Sequence, residues 1–255
     1  MQILLTGKVI IVTGAASGIG AAIARQAAAS GADKLVLTDR DATGLQRVAA
    51  GLGAGATVIA DMTDPAAPQT ITAAALARFG RIDGLVNAAG DTSRAAFTDG
   101  TLSLWDQLFT VNARAPFFLM QAAIADMLKR KSPGAIVNIQ SVNAHCGLPE
   151  LAIYAASKAA LSTLTKNAAH AHMADRIRVN GINLGWVATP SEDQMQARVM
   201  GRGPGWQQEA GRRLPLGRLV RADEAAHLAV FLLGAASVPM SGAIVDFEQK
   251  VAGAL

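Results

Sequence analysis

The chain is poor in cysteine, tyrosine and charge: one Cys, one Tyr and 16% charged residues among 255, with aromatics at 4%. A single thiol, Cys146, excludes an internal disulfide and suits a reducing compartment. Basic residues outnumber acidic ones only 23 to 19, with no long basic run, only short ones such as Arg212-Arg213. Nucleic-acid binding uses a clustered basic stripe or aromatic–basic interleaving, and neither is present. The four histidines show no His/Cys spacing of a zinc site, so no metal is expected. Lys8 leads straight into Val9-Ile10-Ile11-Val12 with no signal-like apolar segment, and the cytoplasm is the expected location. Ala225 to Val245 has no Asp, Glu, Lys or Arg and is long enough to span a membrane. Gly234, Ser237, Pro239, Ser241 and Gly242 interrupt it, which predicts a helix, a turn and a strand instead.

What is present is apolar and aliphatic. Hydrophobic residues make up 51% of the chain, mostly Ala, Val, Ile and Leu, as a parallel sheet covered by helices requires. Apolar runs with β-branched residues recur at Val9–Thr13, Lys34–Thr38, Thr57–Ala60, Gly84–Asn87, Ala135–Gln140, Arg178–Asn183 and Ala243–Asp246, separated by alanine-rich segments of helical length. That alternation predicts an α/β fold, a Rossmann-type doubly wound parallel sheet of about seven strands with helices on both faces. No repeat or Pro-rich linker divides the chain, and one domain over 1–255 is expected. Ser191 to Leu216 breaks the rhythm with Gly201, Gly203, Pro204, Gly205, Trp206 and several Met residues. It reads either as a substrate lid hinged on its glycines or as a fixed surface excursion.

Thr13-Gly14-Ala15-Ala16-Ser17-Gly18-Ile19-Gly20 follows the first strand and opens an alanine-rich helix. Small residues let the backbone approach a pyrophosphate, whose charge the helix N-terminus stabilises. The spacing G-x-x-x-G-x-G meets the general dinucleotide pattern only in part. Asp39 closes the second strand, where its carboxylate accepts from ribose hydroxyls and repels a 2′-phosphate. NAD is therefore expected over NADP, although Arg40 next to it is suited to holding such a phosphate.

Tyr154 and Lys158 stand four residues apart in Y-A-A-S-K, and Ser141 lies thirteen residues before the tyrosine. Residues at that spacing share a helix face, so the ammonium is expected to favour the ionised phenol and make it a proton acceptor nearer neutrality. An ordinary solvated helix face gives the same spacing, but this is the only tyrosine in the chain.

Together these segments resemble the one-domain short-chain dehydrogenase/reductases, and the likeness covers nearly the whole length. The residues that carry it are Thr13–Gly20, Asp61-Met62, Asn87-Ala88-Ala89-Gly90, Asn112, Ser141 with Tyr154 and Lys158, and Gly185-Trp186-Val187-Ala188-Thr189-Pro190. The resemblance implies that Tyr154 exchanges the proton with the substrate oxygen while hydride passes to or from the nicotinamide. It implies that Lys158 lowers the tyrosine pKa and bonds the nicotinamide ribose, that Ser141 orients the reacting oxygen, and that Asn112 holds a relay water. Gly14, Ser17, Gly18, Ile19, Gly20, Asp39, Arg40, Asp61, Met62, Asn87, Ala88, Gly90, Val187 and Thr189 would form the rest of the cofactor site. Three have structural alternatives: Asp61 as a companion to a helix N-cap at Asp64, Asn87 as a turn former, and Thr189 as a cap before Pro190. A homo-oligomer, tetramer or dimer, is also implied. Two departures stand out: Leu184 where the family usually has proline, and Phe247-Glu248-Gln249 where it often has two glycines. The latter suggests a subunit contact or a part of the substrate mouth.

For the substrate, Arg94, Ser141, Asn143, His145, Glu150, Tyr154 and Trp186 are the candidate lining residues, and Gln140 adds to their polarity. A polar rim suits a sugar or polyol better than a steroid or long acyl chain, because unpaired buried polar groups disfavour apolar ligands. A lone loop histidine such as His145 is more often solvated than catalytic. Two alternatives remain at this stage: an NADPH-dependent ketoreductase of acyl or small carbonyl substrates, and a dinucleotide-binding sensor without turnover.

Overall fold

The computed structural model describes residues 4–32, 34–52 and 55–251. The remaining positions of the expected 1–255 domain lie outside the described residues.

Among the described residues nine strands form, β1 (Val9–Thr13), β2 (Lys34–Asp39), β3 (Ala56–Ile59), β4 (Gly84–Asn87), β5 (Gly134–Ser141), β6 (Ile177–Leu184), β7 (Val187–Ala188), β8 (Val220–Arg221) and β9 (Ile244–Phe247). The helices are α1 (Gly18–Ala29), α2 (Ala42–Leu52), α3 (Ala67–Phe79), α4 (Leu102–Phe109), α5 (Ala115–Lys129), α6 (Ala152–His172), α7 (Pro190–Gln194), α8 (Trp206–Gly211) and α9 (Ala222–Leu233). Seven strands join one sheet in the order β3-β2-β1-β4-β5-β6-β9, and every pairing is parallel. Each of the seven predicted runs becomes one of these strands. The short β7–β8 pair was not expected from sequence.

Side chains alternate across β1, so the two faces acquire separate cores. Ile10 and Val12 join residues of α1, α2 and α9 in one cluster, while Ile11 joins residues of α3, α5 and α6 in the other. Helices therefore cover both faces, and central strands such as β1 and β4 read as continuous apolar runs because neither of their faces meets water, while the edge strand β3 is partly exposed. Strand order reverses between β1 and β4, the switch point at whose carboxyl ends ligands bind in open α/β sheets.

Ala225–Val245 folds as α9, a short 3-10 turn and then β9, as its interruptions predict. The one described helical run long and apolar enough to cross a membrane is Leu102–Lys129, more than half of it packed inside the protein. Leu184 extends β6 and pairs with Ser141 on one side and Phe247 on the other.

Candidate active site

The glycine turn is set by backbone crowding. Gly14 adopts φ +66° with Ala89 so close that an added Cβ would sit 2.8 Å from its nitrogen, and a Cβ on Gly20 would run into the Gly14 carbonyl. Thr13 Oγ1 fixes the adjoining loop, accepting from the amides of Ala88 and Ala89 at 3.0 Å each. Ser17 caps α1 with extended geometry and leaves its side chain free of any cap bond. Ile19 packs against the core behind the turn. Asp39 braces it from β2, accepting from Ala16 N at 3.0 Å. Across the switch point, Asn87 donates to Asn138 Oδ1 at 2.8 Å while its own Oδ1 is buried without a partner. A cradle too tight for side chains, open helix amides, a carboxylate at the end of β2 and an unpaired buried acceptor suit the diphosphate and ribose of a nicotinamide dinucleotide.

Farther out, Arg40 reaches Asp61 at 3.6 Å on the surface. Asp61 accepts from the amide and hydroxyl of Thr63, bonds that hold its carboxyl below the usual range. Asp64 likewise accepts from Ala66 N, but Ala66 and not Asp64 is the N-cap of α3, so the two aspartates close turns ahead of the helix rather than capping it. Met62 is buried. Val187 pairs with Val220, and Thr189 caps α7 by accepting from Glu192 N at 3.2 Å, with its methyl group against the position of Gly18.

Tyr154 and Lys158 lie in the first turns of α6, both buried. Lys158 Nζ donates to Ile139 O at 3.0 Å and stands 5.9 Å from the centre of the phenol ring. Gly90 leaves room beside it, since a Cβ there would lie 3.4 Å from both Nζ and Asn112 Oδ1. The expected lowering of the phenol pKa is corrected by the structure: burial pushes Tyr154 up to about 12, and the nearby Ser141 hydroxyl pulls it only partly back. Burial likewise brings Lys158 down to about 8. The i,i+4 spacing places the two groups together, but desolvation outweighs their mutual influence in the protein alone.

Ser141 ends β5, and its Oγ accepts from both nitrogens of Asn143, at 3.2 and 3.1 Å. Asn112 sits in a widened π turn, Thr110–Arg114, between α4 and α5. Pro116, four residues on, cannot supply the amide that an α-helical Asn112 carbonyl would use. The Asn112 side chain grips Asp91, donating to its carbonyl at 2.9 Å and accepting from its amide at 3.0 Å, and donates to Ser157 Oγ at 3.0 Å. Asp91 and Ser157 are supporting residues that sequence reasoning did not single out, although Ser157 stands inside Y-A-A-S-K.

At the mouth, Arg94 faces two carboxylates, Glu150 at 3.5 Å and Glu192 at 3.7 Å. Its loop is held to the start of α6 by Ala152 N donating to Ala95 O. Trp186 Nε1 donates to Glu192 Oε1 at 2.8 Å, and the indole lies 5.4 Å from that of Trp206. Asn143 turns back onto Ser141. His145 is drawn elsewhere, with Nε2 2.9 Å from Asp246 Oδ1 on β9. Sequence reasoning missed Glu192, whose signal was present: Thr189-Pro-Ser-Glu192 has the form of a capping box. Only the threonine half forms, and the glutamate side chain turns to Trp186 and Arg94 instead. The segment 191–216 has its own small core, with Trp206 buried and its Nε1 donating to Asp193 at 2.8 Å. The C-terminal departure meets the base of this segment. Glu248 accepts from Trp186 N, while Gln249 accepts from Leu216 N and donates to Arg218 O.

The fold and this arrangement are those of a nicotinamide-dependent oxidoreductase of alcohols and carbonyls. The family model described as enoyl-(acyl carrier protein) reductase matches residues 14–248. The 3-oxoacyl-[acyl-carrier-protein] reductase FabG of Thermotoga maritima is 32% identical, over 96% of this chain and 97% of its own. The D-threitol dehydrogenase of Mycolicibacterium smegmatis is 37% identical, over 94% and 90%. Among solved structures, the L-sorbose reductase of Gluconobacter frateurii, complexed with NADPH and L-sorbose, superposes with a TM-score of 0.93 at 28% identity and covers 100% of both chains. The chain belongs to the short-chain dehydrogenase/reductase family.

Proposed function

We propose that this protein interconverts a secondary alcohol and its carbonyl on a sugar- or polyol-like substrate, with NAD(H) as the preferred cofactor. The observation that carries the reading is the buried phenol of Tyr154 close to Lys158 and under the influence of Ser141, beneath a mouth that offers Arg94, Glu150 and Glu192. When bound, the nicotinamide supplies the hydride donor or acceptor. In the reductive direction Tyr154 gives its proton to the substrate oxygen as the carbonyl carbon gains hydride, and Ser141 steadies the charge that develops there. In the oxidative direction the alcohol proton passes to the phenolate of Tyr154, and Asn112 holds the relay water that returns the proton to solvent. Gly14 to Gly20 would hold the diphosphate, Asp39 the adenosine ribose, Met62 the adenine, and Val187 and Thr189 the nicotinamide amide.

NAD is favoured because Asp39 presents its carboxylate at the end of β2, where a 2′-phosphate would be repelled. The second reading, an NADPH-dependent ketoreductase, has one observation in its favour: the Arg40 guanidinium is largely exposed and only loosely tied to Asp61. Direct binding separates the two. A lower Kd for NADH supports the first, and a lower Kd for NADPH overturns the cofactor preference. For the substrate, sugars, polyols, hydroxy acids and steroids are compared through NADH absorbance. Turnover confined to steroids would sink the polar-substrate reading. We also propose that 191–216 acts as a substrate lid and that the protein is a cytoplasmic homo-oligomer, a tetramer or dimer.

A further inference from the structure

We propose that Arg94 and Glu192 form a charge-compensated specificity pair that selects a neutral, polyhydroxylated substrate over an anionic one. The inference deepens the polyol reading above and rests on it.

Arg94 is largely buried, with 16% of its side chain exposed, yet its guanidinium is poorly satisfied. The contacts with Glu150 and Glu192, at 3.5 and 3.7 Å, are longer than charge-assisted hydrogen bonds of good geometry. Its Nε is buried and has no partner. Glu192 Oε1 is the hub of the other side of the mouth, accepting from Trp186 Nε1 at 2.8 Å and from Gln196 Nε2 at 2.6 Å. Gln196 Oε1 is in turn buried without a partner. The cluster thus leaves one donor and one acceptor unused. A hydroxyl is both at once, whereas a carboxylate only accepts.

Charge points the same way. Arg94 faces two carboxylates, so the cluster carries a surplus of negative charge where it meets a ligand. Lys158 is committed to Ile139 O in the interior, and Arg202 lies over the Trp186 ring at 5.6 Å with its side chain exposed. A substrate carboxylate would have to compete with Glu150 and Glu192 for the guanidinium and suffer repulsion from both. Hydroxyl groups complete the hydrogen bonds without adding charge. The pair is close enough to the reaction centre to act on it: Glu192 raises the Tyr154 pKa and Arg94 lowers it. Glu192 belongs to α7 and Arg94 to the loop after β4, so the selection would also depend on 191–216 being in place.

The test compares galactitol, which is neutral, with D-gluconate, which carries a carboxylate. Both are measured by kcat/KM with NAD and by Trp fluorescence quenching in the protein–NADH complex. The wild type is expected to favour galactitol by about tenfold or more. Glu192→Gln keeps a carbonyl oxygen for Trp186 and Gln196 but removes one charge, and should shrink that ratio by about tenfold. Arg94→Met, which leaves two carboxylates unopposed, should weaken galactitol about tenfold and gluconate more. An unchanged Kd for NADH in each variant shows that it has folded. A wild type that prefers gluconate, or ratios that neither variant moves, overturns the pair. Galactitol bound in preference to gluconate without turnover of either, with the preference lost in Glu192→Gln, upholds the pair and sinks the polyol dehydrogenase reading. Binding of neither compound overturns both.

Discussion

Arg130 and Arg94 are buried to nearly the same degree, with 19% and 16% of their side chains exposed, at opposite edges of the sheet. At the amino edge Arg130 donates to Asp126 at 2.8 Å and to the carbonyl of Ile82. The neighbouring Asp83 has no exposed side-chain surface, receives Arg81 at 2.6 Å and accepts from Val9 N at 3.0 Å. That network is complete within the protein. At the carboxyl edge Arg94 holds two distant carboxylates and keeps one buried N–H unpaired. Unmet hydrogen-bonding capacity is costly inside a protein. If a substrate completes it as proposed, it is tolerated only at the edge where recognition takes place, and stability and recognition are divided between the two ends of the same strands.

The sharpest way to break this division is to change one end and read both. Tyr154→Phe should lower kcat by about 10²- to 10⁴-fold while leaving the melting temperature within about 2 °C; turnover that survives the change removes the proposed proton donor. Asp83→Asn is the converse. It leaves Arg81 and Arg130 facing a neutral amide in a buried network, which should cost about 3 kcal/mol and lower the melting temperature by about 6–12 °C with kcat retained. Loss of kcat at unchanged melting temperature would show that the amino edge is not purely structural.

Next in size is the phenol titration, which the single tyrosine makes readable at 295 nm. A folded-state pKa raised to about 12 means that the proton is kept through pH 10 and released only as pH rises towards 12. At pH 11, with the fold checked by circular dichroism, about a tenth should be ionised. Half-ionisation near pH 10 in the folded protein would contradict the dominance of burial. Glu248→Ala is expected to have the smallest effect, because it removes one acceptor from Trp186 N. A rise in KM of about fivefold at constant kcat corresponds to one such bond; a change in kcat instead would place Glu248 closer to the chemistry.

The completed parts were legible in the sequence, and the open parts less so. The seven strands appeared as β-branched runs because both faces of a parallel sheet are buried. Thr13–Gly20 could be read because crowding between Gly14 and Ala89 admits only small residues. The Tyr154–Lys158 spacing placed two side chains on one face, but the direction of the phenol shift depends on burial, which is a tertiary property. The partnership of Arg94 with Glu192 joins residues far apart in the chain through the fold of 191–216, so nothing local to either residue announced it. His145 was read as part of the pocket rim, whereas a contact with distant Asp246 draws it to β9.

The π turn at Thr110–Arg114 makes one residue count decisive. Deleting a single residue there would take out the extra residue of the π turn, while Pro116 would still leave one helical carbonyl without its amide. It would also rotate one segment against the other by about 100°, and the Asn112 side chain would no longer reach Asp91 and Ser157. In this stretch an uninterrupted α-helix and the assembled site call for different chain lengths, and the length between Leu102 and Lys129 chooses the site.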